Sequence, residues 1–299
     1  MRVIEDGIHA DITIQEYHEN KTHLSATQLK LSRRSLKEFY WYVNGKIPKS
    51  EGLHLGFGNA FELALLDKTG FTNEVAIMQT EAWVAGALDE KPSLQKPKNS
   101  TYYQAKKEQF EIESKGKYII PDVGAQSFSD IEQMLASCYQ DSVIQKLISN
   151  TEYQLSLFWT DPETGLKMKT RPDICKRKKN SVVNLKTIED GSPKAFSRDM
   201  ANYDYPLQAC IEIMGCLETG LMETVDNYFW LVVEKNPPFN ATIYEFAQED
   251  ISWCMDNLRY VINKTKKALD EQLFPGYSDQ ADNEYGILKA QIPLYYRGL

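Results

Sequence analysis

The sequence lacks several features that would place it in well-known protein classes. Its N-terminus has no apolar signal core, and no apolar run approaches the roughly 20 residues needed to cross a bilayer. Its five cysteines include no CxxC pair and no zinc-finger spacing. These absences predict a soluble cytoplasmic protein without a membrane partner, whose thiols are reduced and mostly buried.

Positive charge is also scarce. The 299 residues carry 34 Lys and Arg against 42 Asp and Glu, which gives a net charge of −8 and a pI of about 5.2. The net charge therefore creates no electrostatic field that attracts nucleic acid. DNA binding would need local basic clusters or a cavity whose acids are neutralised by metal. With 42% hydrophobic and 25% charged residues, the composition is that of an ordinary globular protein.

Helical and strand patterns alternate along the chain and predict a single α/β domain over residues 1–299. The domain would have an N-terminal helical segment that starts at Ser25, a favoured N-cap residue, and a C-terminal helix at 249–272. Residues 68–128 are rich in Pro, Lys, Gln and Ser, which predicts irregular structure with one helix near 102–115. Other predicted elements are helices at 53–67 and 127–149 and strands at 153–159, 228–234 and 241–246.

Residues 166–187 predict a β-hairpin at the centre of the chain. Residues 166–175 alternate like a strand, a charged turn follows, and 181–187 form a second strand. Successive strand residues point to opposite faces, so Asn184 and Lys186 share one face. Pairing of the strands would bring Asp173 close to them. An acid beside a polar-x-Lys strand is typical of nucleases that bind two metal ions.

Two other groups of residues allow a functional and a structural reading. Glu62 lies within an apolar helix, where a carboxylate is costly unless a metal ion or another group pairs with it. The alternative is that Glu62 lies on a narrow exposed stripe. Arg33, Arg34 and Ser35 together offer the charge and the donors that grip a phosphate, or they form a solvated helical face.

In this order, the motifs resemble the RecE-type exonucleases (exonuclease VIII) of the PD-(D/E)XK nuclease superfamily, over nearly the whole chain. The matching segments are 7–11, 16–18, 24–25, 57–62, 156–159, 161–165, Arg171-Pro172-Asp173, Asn184-Leu185-Lys186-Thr187, 205–209, 237–238 and 274–277. The resemblance implies a PD-(D/E)XK nuclease fold, with a central mixed β-sheet flanked by helices.

The resemblance also implies a site. Mg²⁺, for which Mn²⁺ would substitute, would bind Glu62, Asp173, residue 184 and the main-chain carbonyl of Leu185. Lys186 would orient or deprotonate the attacking water. The remaining residues expected at the site are Gln208, which would position the water or the strand, and the DNA contacts Arg33, Arg34, Ser35, Arg171 and Tyr205.

The implied function is metal-dependent hydrolysis of DNA from duplex ends. Members of the family are processive 5′→3′ phage exonucleases that form rings around double-stranded DNA. They generate single strand for recombination and pass it to a RecT-type annealing protein, in the cytoplasm of a bacterial host. Encirclement would also explain how an acidic chain holds DNA.

Asn184 departs from this pattern, because the family has Asp or Glu at that position. Asn can ligate through its amide oxygen, but hard divalent ions prefer carboxylates. The sequence therefore predicts a slow or inactive chain that Asn184→Asp would restore, whether Asn184 is a deliberate inactivating substitution or a natural divergence. Two alternatives remain open. One is a non-catalytic DNA-end-binding protein with the same fold, and the other is a restriction-type endonuclease. Glu212 is a second departure, at a position where Tyr is common.

Overall fold

A computed structural model describes residues 3–47, 53–280, 285 and 287–292, with side chains from residue 56 onward in the helix that starts at Leu53. These residues form an α/β fold of ten strands and twelve α-helices. The strands are β1 (Gly7–His9), β2 (Val75–Met78), β3 (Tyr118–Pro121), β4 (Glu152–Tyr153), β5 (Ser156–Thr160), β6 (Lys167–Thr170), β7 (Ile174–Lys176), β8 (Ser181–Ile188), β9 (Asn227–Glu234) and β10 (Ala241–Glu245).

The helices surround the strands. They are α1 (Ile14–Glu19), α2 (Ala26–Arg34), α3 (Leu36–Val43), α4 (Leu53–Leu66), α5 (Lys68–Glu74), α6 (Thr80–Glu90), α7 (Thr101–Glu113), α8 (Phe128–Gln140), α9 (Ser142–Ile148), α10 (Pro193–Asn202), α11 (Tyr205–Glu218) and α12 (Gln248–Glu271). None of the described helices combines the length and apolar character required to span a membrane.

The central sheet has five strands in the order β10-β9-β8-β7-β4. β8 and β9 run parallel, and the other neighbours are antiparallel. A three-stranded antiparallel sheet, β1-β5-β6, and a parallel pair, β2-β3, complete the strands. The mixed central sheet with helices around it confirms the predicted fold class.

The central sheet separates two hydrophobic cores because its side chains alternate between faces. Val182 and Trp230 pack on one face in the core that also contains residues of α11 and α12. Val183 and Leu231 pack on the other face with residues of α4 and α8. Helices on opposite faces of β8 can therefore both deliver side chains to the edge where Asp173 lies.

The segment 166–175 is not one strand, as the sequence predicted. β6 ends at Thr170 and belongs to the three-stranded sheet, whereas β7 begins at Ile174 and belongs to the central sheet. Pro172 lies between them and has no N–H to donate to a ladder, so the pairing is interrupted there. The hairpin formed by β7 and β8 is present, with Ile174 opposite Val183.

Residues 68–128 are more regular than predicted, since they contain α5, β2, α6, α7 and β3. The predicted helix near 102–115 is confirmed as α7. The centroid of the Trp83 ring on α6 lies 5.9 Å from that of Tyr103 and 5.6 Å from that of Phe110, both on α7. These two helices stabilise each other through contacts between residues far apart in sequence, which a local pattern does not reveal.

Three other predicted elements are divided by a single residue or a short break. Ser35 ends α2 and its hydroxyl caps α3, and the side chain of Asp141 caps α9 directly after α8. Gln154 has a φ of +53°, and it separates β4 from β5. All five cysteines are buried free thiols, as the sequence predicted.

Gly215 allows α11 to lie close to the three-stranded sheet. A Cβ at this position would meet Thr170 Cγ2 at 2.6 Å and the Trp159 ring at 3.0 Å. We therefore expect Gly215→Ala to lower the free energy of unfolding by about 1–3 kcal/mol through overpacking. Equilibrium urea unfolding measures the change. Gly56→Ala is the control, because its Cβ would lie 3.8 Å from Tyr118 Cδ1, an ordinary contact. Equal stabilities of the two variants would contradict this account.

Candidate active site

A cleft of about 1060 Å³ lies beside the edge of β8. Its walls come from α1, α2, α4, the chain between β6 and β7, and α11. Six lining residues matter for the chemistry: Lys30, Glu62, Arg171, Asp173, Gln208 and Glu212.

Asp173 lies in the break between β6 and β7. Its Oδ2 accepts a 2.6 Å hydrogen bond from the backbone N–H of Leu185 on β8. Because Ile174 is paired with Val183, Asp173 stands beside Asn184 at the next position of the ladder. The structure thus brings Asp173, Asn184 and Leu185 together, as the hairpin pattern predicted.

Glu62 reaches the same region from α4, on the other side of the sheet from α11. Its Oε1 accepts a hydrogen bond from Gln154 Nε2 at 2.9 Å. The Oε1 of Gln154 accepts from Arg171 Nη2 at 3.4 Å, and its backbone N–H donates to the carbonyl of Asp173. Gln154 therefore links Glu62 to Asp173, a role that its sequence context did not indicate.

Burial raises the pKa of both Glu62 and Asp173 well above the ordinary carboxyl range. For Glu62 the second cause is the charge of Asp173, and for Asp173 it is the charge of Glu212. Lys186 lowers both pKa values, but by less than burial raises them. The cleft thus concentrates negative charge that a cation would stabilise.

Asn184 is buried, with an exposed fraction of 1%. Its Nδ2 donates to Glu212 Oε1 at 3.2 Å, whereas its Oδ1 is buried with no hydrogen-bond partner. Glu212 also accepts from Gln208 Nε2 at 2.9 Å and from the Tyr228 hydroxyl at 2.8 Å. The sequence had shown Glu212 only as a departure from the family pattern, so this contact was missed.

These residues fit a divalent cation held by mixed oxygen ligands. Within the described part of the chain, no three His, Cys, Asp or Glu side chains converge closely enough to hold a metal ion. A cation bound by Asp173 and Glu62 would therefore need neutral oxygens as well. The unpartnered Oδ1 of Asn184 and the carbonyl of Leu185 are oxygens of that kind, which suit a hard ion.

Lys186 points to the same face of β8 as Asn184, as predicted. Its Nζ donates to Gln208 Oε1 at 3.4 Å and lies 4.5 Å from the centre of the Tyr205 ring. The same Gln208 oxygen accepts from Lys30 Nζ at 3.3 Å. Two ammonium groups thus meet at one amide oxygen beside the cleft. Lys30 was not predicted, since nothing in its local sequence marks it.

The Arg33 side chain is half exposed and forms an ion pair with Asp204, in which Nη1 lies 2.5 Å from Oδ1. Asp204 has a φ of +54° and separates Tyr203 from Tyr205, whose rings stack with centroids 5.7 Å apart. Lys30 Nζ donates to the carbonyl of Tyr203 at 2.8 Å. Helix α2 therefore holds the turn that begins α11 at two points.

The predicted DNA contacts need one correction. Ser35 is 1% exposed and its hydroxyl caps α3, so it does not reach a phosphate. The Arg171 guanidinium donates to the carbonyl of Ile12 at 2.9 Å, to Ser156 Oγ at 2.5 Å and to Gln154. Arg171 thus supports Glu62 through Gln154, and because it also lines the cleft, its contact with DNA stays a prediction. Arg34 is exposed and pairs with Glu38.

Comparison with known families identifies the chain's relatives. A family model described as "PDDEXK-like domain of unknown function (DUF3799)" matches residues 25–285. The chain belongs to this family. It is thereby a member of the PD-(D/E)XK nuclease superfamily, which agrees with the observed fold and with the arrangement of Asp173 and Lys186.

A solved structure shows the same fold. A crystal structure from Eubacterium rectale, described as "Putative exonuclease", has a TM-score of 0.56 and 13% identity, and covers 97% of this chain and 98% of that chain. At this identity the likeness shows the fold alone. The structure of SSO0001 has a TM-score of 0.28 and 16% identity over 62% of this chain and 85% of its own, too low to support an argument. No curated protein sequence matches the chain.

The raised pKa values of Glu62 and Asp173 predict a pH-dependent stability in the absence of metal. The folded chain binds more protons at these groups than the unfolded chain, so the free energy of unfolding falls as pH rises above about 4.5. A bound cation opposes this loss. Mn²⁺ should therefore raise the melting temperature more at about pH 8 than at about pH 5. Differential scanning fluorimetry measures both effects.

Glu62→Gln supplies the comparison, because it removes one of the two buried acids. Its melting temperature should depend less on pH than that of the wild type, and Mn²⁺ should raise it less. Glu108→Gln, at an exposed position on α7, should behave like the wild type. Identical pH profiles for the wild type and Glu62→Gln would show that Glu62 does not carry the effect.

Proposed function

We propose that the chain is a metal-dependent DNA nuclease, and specifically a RecE-type exonuclease that acts on duplex ends. The observation that carries this proposal is the meeting of Asp173, Asn184 and Lys186 around β8, the middle strand of the central sheet, in a PDDEXK-like family member. Glu62 and the unpartnered Asn184 Oδ1 add the remaining oxygen ligands.

In this proposal, Asp173, Glu62, Asn184 Oδ1 and the Leu185 carbonyl hold Mg²⁺, with Mn²⁺ as a substitute. A bound divalent ion supplies charge that polarises the scissile phosphate and lowers the pKa of the attacking water. Lys186 orients that water and offsets charge on the phosphate. Burial lowers the pKa of Lys186, which increases the share of neutral amine that can accept the proton released by the attacking water.

Gln208 and Lys30 extend the site toward the DNA backbone. Each ammonium group has three N–H donors, so Lys30 and Lys186 keep donors for a phosphate while they share Gln208 Oε1. The Lys186 ammonium also makes a cation–π contact with the Tyr205 ring. We assign Lys30 as a second phosphate contact and Gln208 as the residue that sets the spacing of the two lysines.

The finer features of the proposal come only from the resemblance to the RecE-type exonucleases. They are 5′→3′ polarity, a homo-oligomeric ring around double-stranded DNA, and delivery of single strand to a RecT-type annealing protein during phage recombination in a bacterial cytoplasm. The exposed Arg34 and the half-exposed Arg33 remain candidates for DNA contact in this assembly. The second candidate function is a non-catalytic DNA-end-binding protein, which the amide at position 184 favours.

Digestion of linear and closed circular duplex DNA tests the proposal directly. With Mg²⁺, we expect the wild type to degrade linear DNA and to leave the circle intact, because an exonuclease needs an end. Electrophoresis over time measures both substrates. EDTA and Lys186→Ala should stop the reaction. Cleavage of the circle would indicate an endonuclease. Binding of linear ends with no hydrolysis in Mg²⁺ or Mn²⁺ would favour the non-catalytic alternative.

Lys30 gives a second prediction. Lys30→Ala should weaken binding of duplex DNA in metal-free buffer about 10–150-fold, since one hydrogen bond to a charged group contributes about 1.5–3 kcal/mol. Burial and the nearby Lys186 lower the pKa of Lys30 to about 8. Wild-type binding should therefore weaken as pH rises through about 8, whereas Lys30→Arg should keep its charge and its affinity. Fluorescence anisotropy measures both trends.

The control for Lys30 is Lys21→Ala, at an exposed position. It removes the same charge from the chain without touching Gln208 or the turn at Tyr203. Equal DNA affinities for Lys30→Ala and Lys21→Ala would remove Lys30 from the site.

A further inference from the structure

Glu212 is the least expected group near the site. It is 1% exposed on α11, and its hydrogen-bond donors are three neutral groups, Asn184, Gln208 and Tyr228. No Lys or Arg among the described residues forms an ion pair with it. A buried charge without a direct ion-pair partner is costly, and the positive charges of Lys186 and Lys30 offset only part of that cost, because burial still raises the pKa of Glu212.

The hydrogen bonds show which form of Glu212 the fold accommodates. All three contacts place donors against its two oxygens, and an ionised carboxylate accepts hydrogen bonds without donating. A protonated Glu212 would leave a proton facing one of these donors. The three hydrogen bonds therefore favour the ionised form of Glu212, whereas its burial opposes that form and raises its pKa.

The same contact fixes the orientation of Asn184. Exchange of the amide oxygen and nitrogen would place Oδ1 against Glu212 Oε1, and two acceptors would then face each other. The observed orientation directs Nδ2 to Glu212 and leaves Oδ1 without a protein partner. An amide held this way offers one oxygen to a cation and cannot easily turn away.

We infer that Glu212 is a positioning residue that holds Asn184 with its oxygen toward the cation and supplies, from behind the amide, the negative charge that position 184 lacks. This inference rests on the proposed function for the identity of the cation. Partners behind metal ligands orient those ligands and tune the affinity for metal. The pair Asn184–Glu212 would then do the work of the single carboxylate found at this position in relatives of the RecE type.

This pairing reverses the expectation drawn from the sequence for Asn184→Asp. An aspartate at 184 would lie against Glu212, and two adjacent buried carboxylates repel each other. The single change should therefore fail to improve the site. The double variant Asn184→Asp/Glu212→Gln avoids this repulsion. Its Gln amide can donate a hydrogen bond to the new Asp, and the total charge of the pair is unchanged.

Mn²⁺ binding to the metal-free chain, measured by isothermal titration calorimetry without DNA, tests the inference. Glu212→Gln should weaken binding by about 10–100-fold, the usual effect of removing a partner behind a metal ligand. The double variant should recover most of that loss. Glu218→Gln is the matched control, since it removes the same charge from an exposed position on α11 without touching Asn184 or Glu212, so its Mn²⁺ affinity should remain near that of the wild type.

An unchanged Mn²⁺ affinity in Glu212→Gln would overturn the inference. A Mn²⁺ affinity of the double variant that is no higher than that of Glu212→Gln would also overturn it. If Glu212→Gln does not fold, Asn184→Asp decides: tighter Mn²⁺ binding than wild type at neutral pH rejects the pairing, and equal or weaker binding supports it. A wild type that shows the expected binding pattern but hydrolyses no DNA would reject the nuclease proposal alone. Hydrolysis with unchanged binding in Glu212→Gln would reject only the role of Glu212.

Discussion

The hydrogen bond from the Leu185 N–H to Asp173 Oδ2 joins the two parts of the fold that make the site. The chain leaves the three-stranded sheet at Thr170 and enters the central sheet at Ile174. Asp173 lies in that crossing, where Pro172 has ended the first ladder. A side chain takes the place of a backbone acceptor at this point, so the carboxylate is fixed relative to β8 before any ligand binds.

The remaining groups come from helices on both faces of the central sheet. α4 carries Glu62 on one face, and α11 carries Gln208 and Glu212 on the other. Acids that approach from opposite sides do not form a compact three-carboxylate cage, which agrees with the geometry around Asp173. A cation bound between them would therefore need neutral oxygens of β8 as additional ligands. An amide at position 184 departs from the family motif, but it fits a site whose acids come from opposite faces of the sheet.

Local patterns predicted those parts of the site that a single strand or helix determines. The two-residue period of β8 correctly put Asn184 and Lys186 on one face, and the apolar helix around Glu62 is present as α4. Contacts between distant segments were not predictable in this way. Lys30 meets Gln208 across 178 positions, and Glu212 meets Asn184 across 28. Residue type also did not reveal burial, so Ser35 was assigned to DNA although the fold uses it internally.

The five buried thiols have a practical consequence. Burial raises the pKa of Cys138, Cys210 and Cys254, and a hydrogen bond with Cys216 together with burial raises the pKa of Cys175. Little thiolate is therefore present to react near neutral pH. Cys216 is also fully enclosed. A cysteine introduced on the surface would be the only fast-reacting thiol of the chain. A fluorophore could then be attached at one chosen point without replacing any of the natural cysteines, and changes around that point could be followed directly.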